Sequence, residues 1–389
     1  MKYDEYILGV NYWPINNAMN FWKLFDKSLV EDDFSRIKEI NIRLVRIFLL
    51  WEDFQPLPRK VSIKMIDHLI TLMEIANDKG LKVLPTFFTG HMSGVNYLPP
   101  WMLDFGDGNI RFPLVSEGRR RKNNIKNFYN DKEILEAQKF LIREISNALK
   151  GHPSLWGWDL GNEPSNLVQP SNKNEGLTWL EEMVSELKKI DESIPITLGL
   201  HQEDLIEDRN MGPEEVSKFC DFLSIHTYSI YAKWASHRLD EEVVPFLAII
   251  TYWLGSKEVL IEEVGIPSSN SFEDNMIVSE EEAYQYYERL LKKLKKYSFL
   301  GTIFWCYGDY ERSLWKEPPF DENHHERFFG LFREDKSPKP FVNLIKTFEK
   351  NIERETLTYE WIDIEPKDYY KDPLENLKHL YQRFKDFQG

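Results

Sequence analysis

Cysteine is nearly missing from this chain of 389 residues: Cys220 and Cys306 are the two it has, each in its own apolar run. That count excludes a disulfide-stapled fold, and no metal-ligand spacing involves either thiol, so both read as buried core residues. Long apolar stretches are missing as well. No run approaches the ~18 residues that a membrane-spanning helix needs. The start, Met1-Lys2-Tyr3-Asp4-Glu5-Tyr6, has neither the basic cluster nor the apolar run of a secretion leader. As written, the chain is expected to be cytoplasmic. Positive charge is in deficit, with 49 Lys and Arg against 64 Asp and Glu and a net charge of -15. Nucleic acid and anionic membranes both require a basic face, so neither is an expected partner. A neutral ligand remains open.

What is present is an alternation. Short, almost continuously apolar runs occur at 7–12, 44–49, 82–88, 155–161, 194–200, 221–227, 259–264 and 301–306. Uninterrupted apolar runs suit parallel strands covered on both faces. Amphipathic stretches of helical period lie between them, at 61–79, 131–150, 175–190, 241–254 and 279–297. Gly80 and Gly151 act as stops, and Ser279 with Glu282 forms a capping box. Eight such units in about 350 residues indicate an α/β fold, a (β/α)₈ TIM barrel. Long insertions follow strand three (89–130) and strand eight (308–333). Residues 1–350 form the catalytic barrel in this reading, and 351–389 a C-terminal extension packed on it.

Two glutamates stand where a barrel carries its chemistry, at the carboxyl ends of strands. Glu163 closes Leu155-Trp156-Gly157-Trp158-Asp159-Leu160-Gly161-Asn162-Glu163-Pro164. Glu263 closes Val259-Leu260-Ile261-Glu262-Glu263-Val264-Gly265. A carboxylate in such apolar company is costly to hold. Two of them about 100 residues apart fit an acid/base and a nucleophile for glycosidic bonds. Adjacent strand residues face opposite sides, so one of Glu262 and Glu263 is expected to enter the barrel mouth and the other to face the helix layer.

Asn162-Glu163-Pro164 and Glu263-Val264-Gly265 resemble the acid/base and nucleophile motifs of glycoside hydrolase family 5, within clan A of retaining β-glycosidases. The resemblance spans roughly residues 5–350. It implies that Glu163 is the acid/base and Glu263 the nucleophile. It also implies substrate-binding or supporting roles for Arg46, which would keep the nucleophile ionised, and for Asn162, His226, Tyr228 and Trp305. His91 matches a frequent substrate position more loosely. Trp13 and Trp101, which follow strand one or lie in the first insertion, are further candidates for stacking on a sugar face. Val264 departs from the aromatic residue often found before that glycine.

The resulting expectation is a retaining glycoside hydrolase acting on β-1,4-linked mannan, glucomannan or manno-oligosaccharides, with neutral saccharides as partners and no cofactor or metal. The alternatives are a cellulase-type β-1,4-glucanase and an exo-acting β-mannosidase or β-glucosidase. More distant are a metal-dependent sugar isomerase using His91, His201 and His226, and a non-catalytic carbohydrate-binding barrel. The aromatic insertion at 89–130 is expected to narrow one end of the cleft.

Overall fold

The computed structural model describes residues 5–108, 110–272, 274–350 and 359–388. Eight parallel strands close into a barrel: β1 (Ile7–Asn11), β2 (Leu44–Leu50), β3 (Lys82–Thr89), β4 (Trp158–Asn162), β5 (Ile196–Leu200), β6 (Leu223–Thr227), β7 (Val259–Val264) and β8 (Gly301–Phe304). Each pairs with the next, and β8 pairs with β1. The main helices between them are α1 (Lys27–Glu39), α2 (Ile63–Lys79), α3 (Lys132–Ala148), α4 (Lys173–Ile190), α5 (Pro213–Ser217), α6 (Val243–Gly255) and α7 (Glu280–Leu294), with a single turn, Trp51–Phe54, directly after β2 and α8 (Val342–Lys346) after β8. The local signals act as expected. Ser62, Asp131 and Asn172 cap their helices by accepting from backbone N–H groups, and Ser279 and Glu282 close a reciprocal box. Gly80, at φ 66°, ends α2 in the left-handed conformation. The periodicity reading missed α1 and the one-turn helices α5 and α8.

Strand four begins later than its apolar run suggests. Leu155 makes a single bridge to Val83, and continuous pairing starts at Trp158. Strand seven brings the larger correction. Against β6, Ile225 pairs with Ile261 but His226 pairs with Glu263, and against β8 the register shifts between Ile261 and Val264. One residue is therefore extra, and strict alternation fails. Glu262 does not face the helix layer. Its carboxylate lies fully buried among Arg46 and His226, on the same side as Glu263.

The insertion after β3 is folded. Segments 91–92, 95–97, 114–116 and 119–121 form a small four-stranded sheet, and 103–104 pairs with 124–125. Its two hairpin turns, Ser93-Gly94 and Glu117-Gly118, have both central residues at positive φ. That is the turn geometry that matches strand twist, with glycine at the second position. At the other end of the chain, helix α9 (Pro373–Gln388) packs Tyr381 and Phe384 against Phe246 of α6. Tyr369 and Tyr370 donate to the carbonyls of Leu205 and Asp204. Of the proposed extension, residues 351–358 and 389 lie outside the described residues.

Candidate active site

At the carboxyl ends of the strands lies a cavity of about 410 Å³, lined by both glutamates and by His91, Asn162, Tyr228 and Trp305. Acceptor atoms of Glu163 and Glu263 approach within 4.8 Å of each other, with His226 between them. Glu163 follows the last residue of β4 and has φ 46°, ψ 54°, a left-handed conformation rare outside glycine, in front of Pro164. Such strain persists only where surrounding contacts over-determine it. Here the contacts are Asn166 Nδ2 donating to Oε2 at 2.8 Å and His226 Nδ1 against Oε1 at 2.8 Å.

Glu263 is held differently. Arg46 Nη1 donates to its Oε1 at 2.8 Å, and the Tyr228 hydroxyl donates to Oε2 at 2.6 Å. Arg46 is fully buried, and Asp159 of β4 fixes it by accepting from Nε at 3.1 Å and Nη2 at 2.7 Å. Asn11 and Asn162 accept its remaining donors. Asp159 also accepts from Thr86 and from the Gly161 and Gly199 amides, so this one carboxylate ties β2, β3, β4 and β5 together beneath the site.

His91 is buried, and burial pushes its pKa down to about 4. It is therefore neutral at pH 7. Its Nδ1 lies 2.7 Å from the Asn96 amide oxygen, which assigns the proton there and leaves Nε2 as an acceptor 3.6 Å from Glu163. His226 goes the other way. Burial opposes its charge, but Glu263, Glu163 and Glu262 surround it and raise its pKa to about 10.

The two glutamates titrate as a unit. For Glu263, burial leads, the nearby Glu163 charge adds, and the pKa rises to about 7 against His226 and Arg46. For Glu163, burial is outweighed by His201, His226 and His91, and its carboxyl is held well below the usual range. His91 is neutral at pH 7, and the His226 cation, with Nδ1 2.8 Å from Glu163 Oε1, is the direct contact that holds Glu163 ionised. Below about pH 7 the ligand-free pair thus carries one proton, resting on Glu263.

Glu163, His226 and Glu263 are also a group that could hold a cation. Arg46, Tyr228 and Asn166 already donate into it, which is the environment of a carboxylate pair rather than of an ion.

Four sequence candidates do not line the cavity: Arg46 and His226 are buried beneath it against the glutamates, and Trp13 and Trp101 lie apart from it. Trp13 is fully buried, stacked on Phe48 at 5.3 Å, and its Nε1–H points at Met92 Sδ. Trp101 donates to the Gln55 carbonyl and stands edge-on to Trp51. Met92 of the first insertion covers the Trp13 ring edge, and Trp101, itself in that insertion, is turned against Trp51 and Gln55. From that insertion Arg111 and Phe112 do line the cavity, whereas Tyr97 is buried and Phe105 is 96% exposed. Sequence reasoning missed Asn166, Glu203, Tyr231, Asn323 and Glu326, and it considered His201 only as a metal ligand. Asn166 was findable, three residues beyond Glu163 on the same turn. Asn323 and Glu326 were not, because they come from an irregular loop after β8.

That loop joins the first insertion across the barrel mouth. Asn323 Nδ2 donates to the Ser93 carbonyl at 2.9 Å, and Arg120 pairs with Asp321 at 2.7 Å and Glu322 at 3.1 Å. In the closed order, β1 and β2 lie between β8 and β3. The Ser93–Asn323 latch therefore bridges the mouth on the β1–β2 side.

No protein-family model matches the chain. Over 128 residues it is 26% identical to mannan endo-1,4-beta-mannosidase 3 of Solanum lycopersicum, covering 29% of this chain and 31% of that protein. The chain thus spans under a third of the length of this curated relative. Its structure is similar to a GH5_18 protein from Streptomyces cattleya, solved in complex with Manb1-4GlcNAc, with a TM-score of 0.74 and 20% identity over 88% of this chain and 79% of that one. It is equally similar to an exo-beta-1,4-mannosidase from Opitutaceae bacterium strain TAV5, with a TM-score of 0.74 and 22% identity over 88% and 59% of the two chains. The resemblance to glycoside hydrolase family 5 thus extends to the fold.

Proposed function

We propose that this protein is a retaining β-glycosidase that removes terminal β-mannosyl residues from short saccharides. The observation that carries the reading is the spacing of the carboxylates. Oxygens within 4.8 Å suit the retaining arrangement, whose carboxyl groups stand about 5–5.5 Å apart, and leave no room for the water that separates an inverting pair. Arg46 and Tyr228 present Glu263 for attack on the anomeric carbon, while Glu163 gives its proton to the departing glycosidic oxygen. Water then attacks the glycosyl-enzyme, passes a proton to Glu163 and frees Glu263. The first step needs the shared proton on Glu163, one transfer away from its resting place in the empty site.

Exo action is supported by the latch between Ser93 and Asn323 and by a volume at the small end of ligand clefts, about 300–1,000 Å³. Mannose is supported by what the similar proteins are: a mannan endo-mannosidase, an exo-mannosidase, and a protein holding a mannosyl disaccharide. The test is chromatography of early products from mannohexaose, mannobiose and cellohexaose. Release of mannose alone from the first time points supports the reading. Mixed lengths at the outset indicate an endo-acting enzyme, and glucose release without mannose release indicates a glucosidase.

A further inference from the structure

Beneath the two glutamates lies a third buried glutamate that the double displacement leaves unused. Glu262, the extra residue of the β7 bulge, is fully buried. Its Oε2 lies 3.2 Å from His226 Nε2 and 3.5 Å from Arg46 Nη2, while its Oε1 has no hydrogen-bond partner. The other nitrogen of the same ring, Nδ1, lies 2.8 Å from Glu163 Oε1. One imidazole thus bridges Glu262 and the proposed acid/base. We propose that Glu262 is a positioning residue that holds His226 as a donor on both sides, so that Glu163 Oε1 is always occupied and the transferable proton sits on Oε2.

The argument follows the donors. A neutral imidazole has one N–H, and a cationic one has two. With Glu262 ionised on the far side, the ring is stabilised as a cation, and its Nδ1–H must then donate to Glu163 Oε1. A proton arriving on Glu163 can enter only at Oε2. That oxygen faces Asn166 Nδ2 at 2.8 Å and His91 Nε2 at 3.6 Å, and both residues line the cavity. Without Glu262 the ring can become neutral with Nδ1 unprotonated, and the Glu163 proton can settle on Oε1, pointing at the histidine instead of the substrate.

The charged groups around Glu262 agree. Arg46 from β2 and His226 from β6 face it directly, and Asp159 from β4 shares Arg46 with it. From β5, Gly199 packs so closely that a Cβ there would lie 2.8 Å from Glu262 Oε2, which leaves no room for water as a substitute partner. Arg46 and the hydrogen bond from His226 outweigh burial and keep Glu262 ionised.

The proposal rests on Glu163 acting as acid/base, and the experiment separates the two. Imidazole ¹⁵N shifts of His226, assigned by their loss in His226→Asn, report ring charge from about pH 6 to about pH 9. The expected wild-type result is two protonated nitrogens up to about pH 8 or beyond. In Glu262→Gln the midpoint should fall by about 1 pH unit or more, the effect of losing an opposite charge at this distance. With aryl β-mannosides, kcat/KM of Glu262→Gln should drop about 10–100-fold for poor leaving groups, part of what proton donation supplies, and little for dinitrophenyl. A neutral ring in the wild type at pH 7.5 overturns the proposal, even if the variant does not fold. So does a loss equal for all leaving groups with unchanged ¹⁵N shifts. If the wild type hydrolyses no β-mannoside, the functional reading fails while the ring titration still decides the Glu262–His226 pairing.

Discussion

Replacing Glu263 by Gln should abolish turnover and, above neutral pH, make the protein more stable. The carboxyl is 4% exposed, and burial together with the Glu163 charge raises its pKa from 4.5 to about 7. A carboxyl raised in the folded state binds more protons than it does in the unfolded chain between those two values. Stability therefore falls as pH rises through that window and levels off above about 7. The full difference corresponds to about 3 kcal/mol, since each pH unit of displacement is worth about 1.4 kcal/mol. Gln removes the charge, its carbonyl oxygen can still accept from Arg46, and the Tyr228 hydroxyl can turn to accept from its amide. Glu263→Gln should thus exceed the wild type by about 3 kcal/mol at pH 8.5 and by under about 1 kcal/mol at pH 5. For a chain of this length that is a rise in Tm of about 4 °C at the higher pH. Paired urea and thermal melts at the two pH values measure it. A variant less stable than the wild type at pH 8.5 would refute the reasoning, because ionised Glu263 would then be a net stabiliser held by Arg46 and Tyr228.

The other expectations are briefer. Because the first step needs the single proton that the pair keeps only below about pH 7, kcat/KM on mannobiose should fall as pH rises through about 7; a profile that still climbs from pH 7 to 9 counts against the shared-proton pair. Glu163→Ala should cost about 10²–10⁴-fold on mannobiose but far less on dinitrophenyl β-mannoside, with azide restoring turnover as a mannosyl azide; equal losses on both substrates exclude the acid/base role. Asn323→Ala removes the side chain that closes the latch. It should raise the proportion of products longer than one sugar from mannohexaose, whereas an unchanged pattern means that the latch does not limit the cleft. Arg46→Met leaves Asp159, Glu262 and Glu263 without their shared cation. It should destabilise by about 3–5 kcal/mol, the usual effect of removing one partner from a buried ion cluster, as read by urea denaturation.

The barrel itself was determined by the sequence. Eight apolar runs, each too long and too unbroken for a half-exposed strand, can be covered on both faces only by a layer of intervening helices, and their number leaves a closed sheet as the solution. The same local logic placed Glu163 and Glu263, since a carboxylate ending an apolar strand has few settings other than a barrel mouth. Arg46, His226 and Tyr228 were reached through the resemblance to glycoside hydrolase family 5, since a polar group in or beside an apolar run is by itself as readily a core residue. Tertiary structure decided what local pattern cannot encode. The register shift in β7 depends on pairing with β6 and β8, and it turned Glu262 from an outward-facing residue into a buried neighbour of His226 and Arg46. Trp13 and Trp101 have the composition of sugar platforms, but Trp13 is packed against Met92 and Trp101 against Gln55, and only the packing of distant segments determines which aromatic ring stays in contact with the cavity. The Ser93–Asn323 contact joins residues 230 positions apart through a backbone carbonyl, which no side-chain pattern announces. Strand periodicity is a property of neighbours in the chain, whereas the bridge across the cleft and the third buried glutamate are properties of neighbours in space.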